Sequence, residues 1–136
     1  MSQLFAMMKV PDQQKIARKY GVGDFRVFAS WLRSLNYLRN LTAHHSRLWN
    51  RNVIDQPKMP KAGDINWCDS FIGKKDLIAR PFLLIAILRH LIRAICPNTS
   101  WHLRLRQHLE AFPETYSTSK RSIHDMGTPK DWETWW

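Results

Sequence analysis

The chain has 136 residues, 44% of them hydrophobic and seven of them tryptophan, which is enough for one compact domain and too apolar for a disordered chain. Its 21 lysines and arginines outweigh 11 aspartates and glutamates, and the net charge of +10 points to a polyanionic partner. Two cysteines without paired spacing, Cys68 and Cys96, make neither a disulfide framework nor a zinc site, and the apolar run Phe82–Leu88 is too short to cross a bilayer.

In chain order, a first short helix is expected over residues 2–9. Pro11-Asp12 opens a second that runs to Tyr20 and stops at Gly21, a residue suited to the left-handed position after a helix. Asp24 caps a third and longest helix, expected over residues 25–50, whose apolar set Phe28, Trp31, Leu32, Leu35 and Leu38 recurs at intervals of three and four. Residues 51–72 carry Pro57, Pro60 and Gly63 with no surviving period, and predict a long loop. A fourth helix starts near Pro81 and ends at Cys96-Pro97. Thr99 or Ser100 caps a fifth through Ala111, closed by Phe112-Pro113. The remainder, to Trp136, predicts an extended tail with Trp132, Trp135 and Trp136 packed back onto the body. No strand is indicated, so the fold class is all-α.

The arginines are not spread evenly. Between Phe25 and Ile54 there is no acidic residue, and every basic one is an arginine: Arg26, Arg33, Arg39, Arg47 and Arg51. The planar guanidinium fork suits bidentate phosphate contact better than the hydrated lysine ammonium does. If the third helix continues to Asn50, then Arg39, Asn36, Ala43, Arg47, Asn40, Arg33, Arg51 and His44 all fall within about 140° of one another on its wheel. Leu35, Leu38, Leu41, Trp31 and Trp49 face the opposite side, where His45 packs with them. Small Ala43 keeps the polar strip low enough for a ligand to approach.

Such a strip suits RNA, which carries its own nucleophile in the 2′-hydroxyl. Cleavage then needs a base for that hydroxyl, an acid for the leaving 5′-oxygen and positive charge on the phosphate. An imidazole titrating near neutrality moves the proton, as acid or as base, and fixed arginines hold the non-bridging oxygens. The sequence shows no acidic cluster to hold magnesium near the strip, so no metal or other cofactor is expected. Arg-to-His spacing alone also fits a solvated basic helix face, or a phosphate-binding surface without catalysis.

The stretch Trp31-Leu32-Arg33-Ser34-Leu35-Asn36-Tyr37-Leu38-Arg39-Asn40-Leu41-Thr42-Ala43-His44-His45-Ser46-Arg47-Leu48-Trp49-Asn50-Arg51 resembles the signature of the bacterial abortive-infection (Abi) family, AbiD/AbiF type. The closing Met126-Gly127-Thr128-Pro129-Lys130-Asp131-Trp132 resembles that family's C-terminal Met-Gly-Phe-Pro…Trp motif, with Thr128 in place of the aromatic. The family is grouped with the HEPN superfamily of helical RNases. The resemblance implies a HEPN-like helical bundle with a long loop and an extended C-terminal tail, divided into a domain of residues 1–112 and a tail of residues 113–136. It implies catalytic Arg39, Asn40 and His44, and the helical strip adds Asn36, Arg33, Arg47 and Arg51 as nucleic-acid contacts.

The implied activity is metal-independent endoribonucleolytic cleavage leaving a 2′,3′-cyclic phosphate, in phage defence or a toxin–antitoxin system. The implied partners are RNA, an antitoxin or non-coding RNA, and a second copy whose equivalent helix faces the first across a homodimer. Relatives of this type carry a further N-terminal helical half, so the chain corresponds to their C-terminal half. A non-catalytic RNA-binding module and a helical protein-interaction domain are the competing functional readings. The start Met1-Ser2-Gln3-Leu4 lacks the pattern of a signal peptide, and a cytoplasmic protein without a membrane partner is expected.

Overall fold

The computed structural model describes residues 2–113 and 121–136, and residues 114–120 of the expected tail lie outside the described residues. Everything regular in it is helical, with no strand among the described residues. Seven α-helices follow in order: α1 (Ser2–Met7), α2 (Val10–Lys19), α3 (Phe25–Ala43), α4 (Lys75–Ile78), α5 (Pro81–Ile95), α6 (Trp101–Glu110) and α7 (Trp132–Trp135). Two 3-10 helices, Asn66–Ser70 and Ile123–Met126, complete the set.

The all-α expectation holds, and several boundaries fall where the sequence places them. Pro11 sits in the first turn of α2 and Pro81 opens α5, each where a missing N–H costs nothing. The Asp24 carboxylate accepts from the Arg26 N–H at 2.8 Å and caps α3. At the end of α2, Gly21 takes φ 72°, Val22 N–H donates to Ala17 O and Gly21 N–H to Arg18 O. That is the Schellman pair of bonds. On the fifth predicted helix, now α6, Ser100 occupies the cap position but Thr99 Oγ1 accepts the Trp101 N–H, at 3.2 Å.

α3 and α5 pack against each other at the centre, and α1 and α2 lie on α3. The first turn of α5, Pro81 to Leu84, is buried on every side, as befits a central helix whose apolar residues run consecutively. Trp31, Phe71, Phe82, Leu83, Leu84 and Ile87 are fully buried. The closing tryptophans do pack back: Phe82 meets Trp132 at 5.7 Å and Trp136 at 5.6 Å between ring centroids, and Trp135 meets Trp67 at 5.7 Å. Each aromatic pair contributes about 0.5–1.5 kcal/mol beyond the area it buries.

Three expectations need correction. Residues 51–72 are not a structureless loop, because Asn66–Ser70 forms a 3-10 helix that buries Trp67, Cys68 and Ser70. Likewise the tail is not simply extended, since Ser122 and Asp125 form a reciprocal capping box that starts a 3-10 turn. The longest helix is also shorter than its pattern suggests, ending at Ala43 rather than Asn50.

Candidate RNA-binding and cleavage surface

The end of α3 decides where the predicted site residues stand. Thr42 Oγ1 bonds the carbonyls of Arg39 (2.9 Å) and Leu38 (3.2 Å), a local competition that weakens a helix. His44 is the C-cap. His45 then turns left-handed at φ 51°, its N–H donating to Thr42 O while Ser46 N–H donates to Leu41 O. This is the same Schellman closure that ends α2, built here on a histidine in place of glycine.

The expected eight-residue strip is therefore divided. Arg39, Asn40 and Asn36 lie exposed on the last turns of α3, and His44 stands exposed at its cap, its N–H on the Asn40 carbonyl at 3.1 Å. Arg39 Nη1 donates to Asn40 Oδ1 at 3.0 Å, so the guanidinium is oriented by the neighbouring amide. Arg47 and Arg51 are past the helix end and do not continue its face, because the backbone reverses at His45. His45 is exposed rather than packed, for the same reason. Trp49 is half-buried and stacks on Phe112 at 6.2 Å instead of facing a helical core.

Arg33 departs in another way. Asp55 of the following loop pairs with it, Nε to Oδ1 2.7 Å, so a carboxylate does neutralise one end of the strip. The loop is laced to that end of α3 by Trp31 Nε1–H on Lys58 O (2.9 Å) and Lys58 N–H on Ser30 Oγ (2.9 Å). No ion pair to Arg39, Arg47 or Arg51 occurs among the described residues. Nor do three His, Cys, Asp or Glu side chains converge there as a metal-binding group.

A residue the sequence reading left unassigned joins the two signature stretches. Arg80 Nη1 donates to the Asn50 carbonyl (2.8 Å) and to Asn50 Oδ1 (2.6 Å), while Asn50 holds φ 56°. On its other side Arg80 lies against Gly127, where an added Cβ would come within 2.4 Å of Arg80 Cβ. Gly127 also needs φ 86°, so the Met-Gly pair of the tail is explained by a backbone approach that only glycine permits. Thr128 faces His124, its Oγ1 2.9 Å from Nδ1, and is buried where the resembling motif carries an aromatic.

Buried Arg89 and half-buried His90 were also missed. Arg89 Nη2 donates to the Trp135 carbonyl at 3.1 Å, and its guanidinium lies 5.1 Å from the centroid of Trp136. Burial, with the Arg93 charge, lowers its pKa to about 10. Trp67 Nε1–H donates to His90 Nδ1 (3.3 Å), which leaves Nε2 to carry the proton donated to Tyr20 O (2.8 Å). The imidazole is thus held neutral, and burial lowers its pKa. The visible signal was a polar pair directly after seven consecutive apolar residues, on a helix that has to be buried. Cys68 is buried, and burial together with Asp69 pushes its thiol pKa up.

No helix among the described residues is long and apolar enough to cross a membrane. No curated protein and no solved structure matches the chain. Residues 1–50 match the family model for the Abi-like protein family, a span that takes in α1 to α3 and the Arg39–His44 turn.

Proposed function

We propose that this chain is a metal-independent endoribonuclease of an abortive-infection system, cleaving RNA through its own 2′-hydroxyl. The observation that carries this is the exposed end of α3, where Arg39, Asn40 and His44 stand one turn apart and Arg39 is aligned by Asn40 rather than consumed by a carboxylate. The family match over residues 1–50 supports the phage-defence setting. In this reading Arg39 holds a non-bridging phosphate oxygen and stabilises the charge that builds on it. His44 exchanges a proton with the 2′-hydroxyl or the leaving 5′-oxygen. Asn40 keeps the guanidinium in place. Asn36, Arg47 and Arg51 contact flanking phosphates, while Arg33 serves the fold through Asp55.

The helix end is an exposed surface, and the main clefts of the fold lie elsewhere. A second wall is therefore needed to enclose a scissile phosphate, and an α3 of a second copy supplies it in a homodimer. Light scattering at high protein concentration should then give twice the chain mass, and a strict monomer would remove that wall.

The direct test is cleavage of mixed RNA in excess EDTA. Wild-type protein cuts; Arg39→Ala and His44→Ala each lower the rate by about a hundredfold or more. If none of the three proteins cuts while all bind RNA, the surface is a binding module instead. An electrostatic contact of either kind weakens steeply with added salt, because bound phosphates release counterions.

A further inference from the structure

A second cationic site lies away from the α3 turn and shares none of its residues. A cleft of about 580–630 Å³ on each side of the α2 end borders Gly21, and the one of 630 Å³ is lined by Lys19, Asp64, Asn66, Trp67, Arg89 and Arg93 among others. Three cations stand there against one carboxylate. Arg89 and Arg93 are one turn apart on α5, with no salt bridge for either among the described residues. Like charges at this spacing repel.

Arg89 makes the cleft more than a solvated basic face. The residue is 5% exposed, its guanidinium has one acceptor in the Trp135 carbonyl, and its Nε is buried with none. A buried guanidinium with donors to spare is costly unless an anion completes it. The surroundings hold it in place: the Trp136 ring stacks beneath it, and neighbouring His90 is tied to Trp67 and Tyr20. Arg93 and Lys19 are exposed at the rim and free to close on a ligand.

We propose that this cleft binds a phosphate group, with Arg89 as the buried anchor and Arg93 and Lys19 as the two rim contacts. A tetrahedral dianion can accept from all three at once and offsets the excess charge left after Asp64, which a single carboxylate would not. Asn66 supplies a neutral amide at the same opening. The proposal is independent of the ribonuclease reading, because neither Arg39 nor His44 takes part.

The test is thermal unfolding followed by tryptophan fluorescence, in inorganic phosphate and in chloride at matched ionic strength. Phosphate should raise the midpoint in a saturating manner. Arg93→Ala and Lys19→Ala, both at exposed positions that leave the core intact, should each weaken the apparent affinity by about tenfold. Arg39→Ala should not change it. No phosphate-specific shift in the wild type, or the same shift in both rim variants, overturns the proposal. Short RNAs with a 5′-phosphate or a 5′-hydroxyl identify the source of the group. A 5′-phosphate preference lost in Arg93→Ala assigns a terminal phosphate, and equal losses for both RNAs assign the backbone. RNA affinity unmoved by either rim variant, with phosphate affinity reduced, assigns a free phosphorylated small molecule.

Discussion

His45 shows how much one backbone angle governs at the residue scale. At φ 51° an L side chain crowds its own carbonyl, a cost of about 1–2 kcal/mol that glycine escapes. The chain accepts that cost after α3 and avoids it with Gly21 after α2. His45→Gly should therefore stabilise the protein by about 0.5–1 kcal/mol, the gain being trimmed by the greater freedom of glycine when unfolded. Urea unfolding reads it as a higher midpoint at unchanged slope. A lower midpoint would mean that the exposed imidazole makes a contact worth more than the strain. RNA cleavage should survive the change, since His45 has no role in the proposed chemistry.

At the scale of elements, the sequence showed where helices begin better than where α3 ends. Asp24, Pro11 and Pro81 act locally, through a cap bond or a missing N–H, so their meaning does not depend on distant residues. The stop at Ala43 depends on a histidine adopting a glycine-like angle, and the apolar residues Leu48 and Trp49 happen to continue the helical spacing beyond it. Arg33 was misread for a different reason: its partner Asp55 is brought back by a loop that three residues of α3 hold down. Only the turn Arg39–Asn40–His44 was legible as a unit, because its members are neighbours on one helix.

The tail motif was visible as a pattern but its purpose was not. Gly127 matters because Arg80, nearly fifty residues earlier, passes against it while bonding Asn50. Gly127→Ala should cost about 2 kcal/mol or more, from overpacking and the left-handed angle together. The loss would show as a lowered thermal midpoint. A near-neutral effect would mean that Arg80 can move aside, and that the link between Asn50 and the tail is loose.

Across the whole molecule, stability should vary with pH through His90. Burial sets its folded pKa below the ordinary 6.5, partly opposed by the Tyr20 bond and helped by the charges of Arg89 and Arg93. The unfolded chain thus binds this proton more readily than the folded one. Its contribution is complete above about pH 6.5. It falls as pH drops from there to the lowered folded value, and levels off below that. His90→Gln, which can still donate to Tyr20 O, should flatten that part of the stability profile in denaturant titrations at stepped pH. An unchanged slope would assign the acid sensitivity to other groups.

Residues 132–136 are synthesised well after α5, yet Phe82 in the centre of the fold rests on Trp132 and Trp136, and Arg89 on Trp135 and Trp136. A nascent chain therefore cannot seal its interior before α7 has been made. Until α7 emerges, α5 presents an oily flank and an unmatched guanidinium to the cell, so a product stalled before α7 would be open to chaperones and proteases.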